Sequence, residues 1–257
     1  MNNIKKRNLI LLLAATVILA SSYGIYLNSQ RINTGKMTLI FEDTFDNADT
    51  LKTNWDSLDN GLFSSTGFYD SNQAAIADGQ LSISIAKKDG VKGVRIYTSA
   101  LRTKLVQKYG YFEIRAKFPK LKDFTASISL TTKGALSNTD PAKGVQIDIA
   151  TSQNYPYPIH NSGYYYDTNT DSGGVTKNTL VLANLYEEYH TYGLLWTKEG
   201  YLYYLDGNKI WEAKNIQTSE TEEYLRLGFD LPMSYSIDTT DLLKTFVIDS
   251  VKIYQVN

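Results

Sequence analysis

The chain has 257 residues, 42% of them apolar, which is enough to bury one large core and leaves no need for a second domain. Its formal charge is −1, and setting aside three cations near the N-terminus takes it to −4, which argues against nucleic acid as a partner. Cysteine is absent, which excludes a disulfide framework, a thiol nucleophile and a lipid-modified cysteine.

The chain starts with a cationic stretch, Lys5-Lys6-Arg7, followed by an apolar run from Leu9 to Ala20 broken only by Thr16. That pattern is an export signal. Ala20-Ser21-Ser22 would suit cleavage, while Gly24-Ile25-Tyr26-Leu27 extends the apolar stretch to the length of a membrane anchor, so both readings stand. In either case the three cations stay cytoplasmic and the remainder is extracytoplasmic, membrane-anchored or secreted. Residues 28–36 are polar and non-periodic and read as a linker, which places the globular domain at 37–257.

From there alternation with period two dominates, in Leu81–Ile85, Tyr111–Phe118, Tyr201–Leu205 and Phe246–Tyr254. Each is a half-buried strand. In the second, Phe112, Ile114, Ala116 and Phe118 face a core and Glu113, Arg115 and Lys117 face away. Asp78-Gly79, Lys88-Asp89-Gly90, Lys198-Glu199-Gly200 and Asp206-Gly207 are hairpin punctuation. Glu220–Leu225 allows one short helical turn at most. The expected fold is therefore all-β, a two-sheet sandwich or jelly roll behind the N-terminal signal or anchor helix. Residues 153–179, rich in Tyr, Asn, Asp and Gly, read as a long irregular insertion.

Twenty tyrosines and three tryptophans bring aromatics to 12%. Strand propensity accounts for most of them, and stacking on sugar rings is the sharper alternative.

Several segments, taken in order, resemble glycoside hydrolase family 16, the laminarinase, lichenase and agarase type of concave, concanavalin-like jelly roll. They are Leu39–Asp46, Ala77–Ile83, Tyr97–Lys104, Tyr109-Gly-Tyr-Phe-Glu-Ile-Arg-Ala-Lys-Phe-Pro119, His190–Thr197, Tyr203–Gly207 and Phe246–Tyr254. The resemblance implies a polysaccharide partner, a β-linked glucan or galactan, held in a concave cleft.

The family's catalytic strand reads Glu-x-Asp-x-x-Glu, or one residue shorter, with one glutamate as nucleophile and the other as acid/base. Retaining hydrolysis needs two carboxyls about 5–5.5 Å apart. Positions two apart share a strand face, and a β-bulge returns the residue five along to that face. On this chain those positions carry Gln146, Asp148 and Thr151, or Ala150 if the bulge is absent. An amide cannot form a glycosyl ester and a threonine hydroxyl is no proton donor, so no family catalytic pair is intact. Asp148 reads as a relic that hydrogen-bonds Gln146 or a backbone group. Upstream, Phe124 stands where one cleft ring is expected, and Ile128 replaces a tryptophan.

Further contacts implied for a ligand are Tyr155, Tyr157, His160 and Tyr164, with Tyr165 and Tyr166 beside them; His190 reads as a core residue. Asp249 occupies a position that ligates a structural calcium in many relatives, with carbonyls near Asp78-Gly79; no other cofactor is required. Phosphate loops, Cys/His metal spacing and the Gly-x-Ser-x-Gly elbow are absent.

The leading expectation is an exported, membrane-tethered polysaccharide-binding jelly roll without catalysis. The alternatives are a hydrolase or transglycosylase with a non-standard catalytic pair, and a cell-surface scaffold binding proteins through its tyrosine-rich segment.

Overall fold

The computed structural model describes residues 31–58, 67–90, 93–122, 124–132, 144–153, 159–167, 172–180, 185–214, 216–230 and 245–257. Strands are numbered in chain order. One sheet runs β16 (Asn208–Lys214), β15 (Gly200–Leu205), β14 (His190–Thr197), β9 (Gly110–Lys117), β18 (Phe246–Val256), β5 (Gln80–Ile83) and β4 (Ala74–Ala77), with β1 (Met37–Asp43) also paired to β18. The other runs β13 (Ser172–Leu180), β12 (Ile159–Asp167), β11 (Ile147–Gln153), β10 (Thr125–Thr131), β17 (Tyr224–Asp230), β8 (Ala100–Thr103) and β2 (Trp55–Ser57). A small third sheet, β3 (Gly67–Tyr69), β7 (Gly93–Thr98) and β6 (Ala86–Gly90), adds a parallel β3–β7 pair.

Alternation in sequence becomes two facing apolar layers. Phe112, Ile114 and Ala116 of β9, Tyr192, Leu194 and Trp196 of β14, and Val251 and Ile253 of β18 are buried on one side. Ala126, Ile128 and Leu130 of β10, Ile147 and Ile149 of β11, and Leu225, Leu227 and Phe229 of β17 meet them from the other. Burial of these side chains is the main stabilising term. Many tyrosines are spent here. Tyr203 stacks on Trp211 with ring centroids 4.9 Å apart, and its hydroxyl crosses the core to donate to the Ser162 carbonyl at 3.0 Å. A buried phenol needs such a partner, and this one ties the two sheets together.

Two turns follow their residue types closely. Asp78-Gly79 and Asp206-Gly207 both carry positive φ at each position (52° and 68°; 51° and 77°), the geometry of a two-residue hairpin turn between β4 and β5 and between β15 and β16. The Lys88-Asp89-Gly90 signal instead lies within β6, whose Gly90 pairs with Gly93 of β7. Of Glu220–Leu225, where the sequence allowed one short helical turn at most, residues 224–225 open strand β17.

Two expectations about segments change. Within 153–179, read as an irregular insertion, residues 159–167 and 172–179 are strand: β12 and β13 pair antiparallel from Ile159↔Leu180 to Asp167↔Ser172. Edge pairing onto β11 supplies the backbone partners that a Gly- and Asn-rich composition conceals. The fold also begins before residue 37. Arg31 bridges Asn208, the Ile32 N–H donates to the Gly207 carbonyl at 3.0 Å, and a 3-10 turn at Thr34–Lys36 leads into β1. Among the described residues no helix is long and apolar enough to cross a membrane; the apolar leader lies outside them.

Tyr109-Gly110, the dipeptide that opens β9, shows why glycine stands there. Gly110 has φ +133°, and a Cβ on it would lie 2.5 Å from the Tyr254 carbonyl oxygen. Conformation and contact both forbid a side chain. Gly110→Ala is expected to destabilise the fold by ~2–3 kcal/mol, measured as a lower urea midpoint at unchanged slope.

Candidate functional site

The side of the seven-stranded sheet turned away from the core is lined by polar side chains, and strand β11 sets their positions. Across β10, Asp148 lies opposite Ser129 and Thr151 opposite Ser127, with a register shift between. A second shift falls between Asp148 and Thr151 in the pairing with β12. The two serines lie between the core-facing Ala126, Ile128 and Leu130, so both mark the open face. Asp148 and Thr151, three apart in sequence, therefore share that face through a bulge. The bulge takes the Ile149 carbonyl out of the ladder, and the buried Asn161 amide donates to it.

One row crosses this face from β13 to β2: Lys177, Ser162, Asp148, Ser129, Arg226, Arg102 and Asp56. The adjacent row carries Thr179, His160, Thr151, Ser127 and Gly228.

Asp148 is caged by neutral donors. Gln146 Nε2 donates to Oδ1 at 2.7 Å and Ser162 Oγ to Oδ2 at 2.5 Å. Burial pushes its carboxyl above the usual carboxylate range, and those two hydrogen bonds work against the shift. Thr151 is 6% exposed, and its Oγ1 has no hydrogen-bond partner. An orphaned buried hydroxyl costs free energy until something meets it. His160 Nδ1 lies 3.1 Å from Thr179 Oγ1. Burial, and then the nearby Lys177 charge, hold its imidazole on the neutral side.

The strongest charge on this face was not singled out from sequence. Arg226 donates to Ser127 Oγ at 2.9 Å, to Tyr69 Oη at 3.0 Å, and to both oxygens of Asp230 at 2.7 and 3.3 Å. Burial opposes its charge, and Asp230 and Tyr69 more than offset that. Burial pushes the Tyr69 phenol up to about 12. The run Leu225-Arg226-Leu227-Gly228-Phe229-Asp230 alternates strictly, so a charge pointing away from the core was readable there. The Asp230 charge further favours the protonated form of Asp148; Asp56 is ion-paired to Arg102 at 3.2 Å.

The other sequence-derived candidates fall elsewhere. Phe124 is 2% exposed and packs in the core, so its ring presents no face for stacking. Ile128 also points into the core, opposite Ala150, and is no substitute for a ring on the open face. Glu113 lies in the other sheet, and its Oε2 accepts from the Tyr111 hydroxyl at 3.2 Å. Tyr164 is a strand residue paired with Val175, as Tyr165 and Tyr166 pair with Gly174 and Gly173, whereas Tyr155 and Tyr157 lie outside the described residues. His190 is buried at the start of β14, its Nδ1 2.8 Å from Asp206 Oδ2. Asp249 sits at a register shift in β18 and is ion-paired to Arg115 at 2.9 Å, so a guanidinium already meets the charge a calcium ion would need. Among the described residues no three His, Cys, Asp or Glu side chains converge as metal ligands.

The family model for glycosyl hydrolases family 16 matches residues 64–253. Comparison with curated proteins finds no match. Among solved structures, the fold resembles LamA from Zobellia galactanivorans in complex with laminaritriose and laminaritetraose (24% identity, 85% of this chain and 99% of that one, TM-score 0.69). It also resembles an endo-β-1,3-glucanase from Pyrococcus furiosus (22%, 89% and 98%, TM-score 0.71) and porphyranase B from Zobellia galactanivorans (18%, 86% and 94%, TM-score 0.69).

Because Ser162 stabilises the charged form of Asp148, Ser162→Ala is expected to raise the Asp148 carboxyl further. Titrating the carboxyl carbon by NMR in both chains checks this; an unchanged or lower midpoint in the variant contradicts it.

Proposed function

The chain belongs to glycosyl hydrolases family 16, and from that premise we propose that it is an exported polysaccharide-binding protein that holds a β-linked glucan or galactan without cleaving it. The observation that carries the reading is the Gln146–Asp148 hydrogen bond: where a two-carboxyl mechanism needs a nucleophile, an amide donates instead. Thr151, across Asp148 from Gln146, offers a hydroxyl with an unfilled hydrogen bond in place of an acid/base. Binding needs neither carboxyl. Hydroxyls, the Gln146 amide and paired charges displayed on one face of a sheet suit a polyhydroxylated ligand. The laminaritriose and laminaritetraose held by the similarly folded LamA favour β-glucan as the first ligand to try. The cationic, apolar leader supports export and tethering at a membrane.

A second reading is an enzyme with a non-standard pair. It is favoured by the raised proton affinity of Asp148, a property of general acids, and by Asp230 nearby. Here Asp148 would hold the proton, and Asp230 would have to leave Arg226 to act as base or nucleophile.

Affinity electrophoresis of the full chain through laminarin and a panel of β-glucans and galactans, with reducing ends measured in parallel, separates the two. The expected result is retardation without new reducing ends, weakened about tenfold by Asp148→Ala, the worth of one well-made hydrogen bond at ~1.4 kcal/mol. Reducing ends that disappear in Asp148→Asn would establish the enzyme instead. Neither retardation nor cleavage would leave a protein-binding scaffold.

A further inference from the structure

Glu223 is the other acid buried against the site, and it serves none of the contacts described so far. It is 1% exposed and lies just ahead of β17, where its backbone exchanges two hydrogen bonds with Gln107 at 2.9 and 3.1 Å. Its Oε1 accepts from Ser219 Oγ at 2.5 Å and from the Val145 N–H at 3.2 Å. Val145 leads directly into Gln146 and Asp148. On its other side Gly144 turns with φ +84°, against the Thr132 side chain. Ser219 in turn donates its N–H to the Tyr201 hydroxyl at 2.9 Å, which anchors the assembly to β15 in the opposite sheet.

We propose that Glu223 is the positioning residue of the site strand: held by Ser219, its carboxyl fixes the Val145 amide and thereby sets where Gln146 and Asp148 stand on the open face. The consequence for ligand holding rests on the binding role proposed above; the positioning does not.

The carboxyl does this as a neutral group. Its Oε2 is buried without a partner, and among the described residues no cation forms an ion pair with it. The titratable group facing it from β15 is Tyr201, itself pushed up by burial, with Tyr109 beyond. Ser219 and the Val145 N–H bring no charge. Burial pushes Glu223 from 4.5 to about 8, against the two hydrogen bonds that favour its ionised form. A carboxyl raised in this way keeps, in the folded chain, a proton that the unfolded chain gives up. Its support for the fold is complete below about pH 4.5 and is lost progressively as pH rises to about 8. Above that, an unpaired buried charge stands beside the entry to β11.

Hydrogen exchange at the Val145 amide, followed in the full chain in detergent and corrected for the intrinsic effect of pH, tests the proposal. In the wild type, protection is expected to be full near pH 4.5 and to fall progressively, by at least tenfold in total, as pH rises to about 8. Glu223→Gln keeps an acceptor for Val145 and Ser219 but cannot ionise, so its protection should stay level across that range. Glu223→Ala should lack the protection at every pH. A pH-dependent loss in Glu223→Gln matching the wild type, or wild-type protection in Glu223→Ala, overturns the positioning role. Laminarin retention is read in the same series: wild type should lose it across this window and Glu223→Gln should not. If neither chain retains laminarin at any pH, the binding role fails, while the amide protection still decides whether Glu223 positions the strand.

Discussion

The open face depends on one broken hydrogen-bond register. A regular strand shows every second side chain to the same side, so residues 148 and 151 would face opposite ways. The bulge between them restores a shared face and charges one orphaned carbonyl for it, at Ile149, which Asn161 satisfies from the neighbouring strand. Ser129, Ser127, Ser162 and His160 then come into line with Asp148 and Thr151 by cross-strand pairing alone. Tyr203, reaching across the core to the Ser162 carbonyl, holds this part of the sheet to the one beneath it.

Charge is distributed on that face in a way that leaves little net field. Arg226 is occupied by Asp230, Ser127 and Tyr69, and Arg102 by Asp56. Asp148 meets amide and hydroxyl donors rather than a cation, and burial moves it toward its neutral form. Glu223 follows the same rule a layer deeper, a carboxyl surrounded by neutral donors. Under the proposed role, Asp148 and the hydroxyl and amide groups around it exchange hydrogen bonds with sugar hydroxyls, and no ion pair of Asp148 has to be desolvated first.

Much of this was legible in the sequence, for a physical reason: period-two alternation and Asp-Gly turns are local signals, and they marked β9, β15 and β18 and two hairpins. The bulge was readable only through the resemblance, because the spacing of three between Asp148 and Thr151 contradicts plain alternation. What escaped was non-local. The glycines and asparagines of 159–180 look like loop until β11 offers them an edge to pair with. Phe124 looks like a ring for stacking until burial places it in the core. Arg226 carried a clear outward-facing signal, but only the fold shows that Asp230 and Tyr69 converge on it.

The bulge bears on how such a chain can change over generations. Its shape is kept by Asn161, by the β10 ladder and by the Val145 amide, none of which involves the side chains of residues 146 and 151. Thr151 is thereby uncoupled from the folding of the strand that displays it, whereas Gln146 remains tied to the strand through its hydrogen bond to Asp148. Under the proposed role, a substitution at residue 151 alters contact with a ligand at little cost to the scaffold, so selection on binding and selection on folding act on largely separate residues. A lineage can then exchange the group displayed there in single steps, without passing through unfolded intermediates.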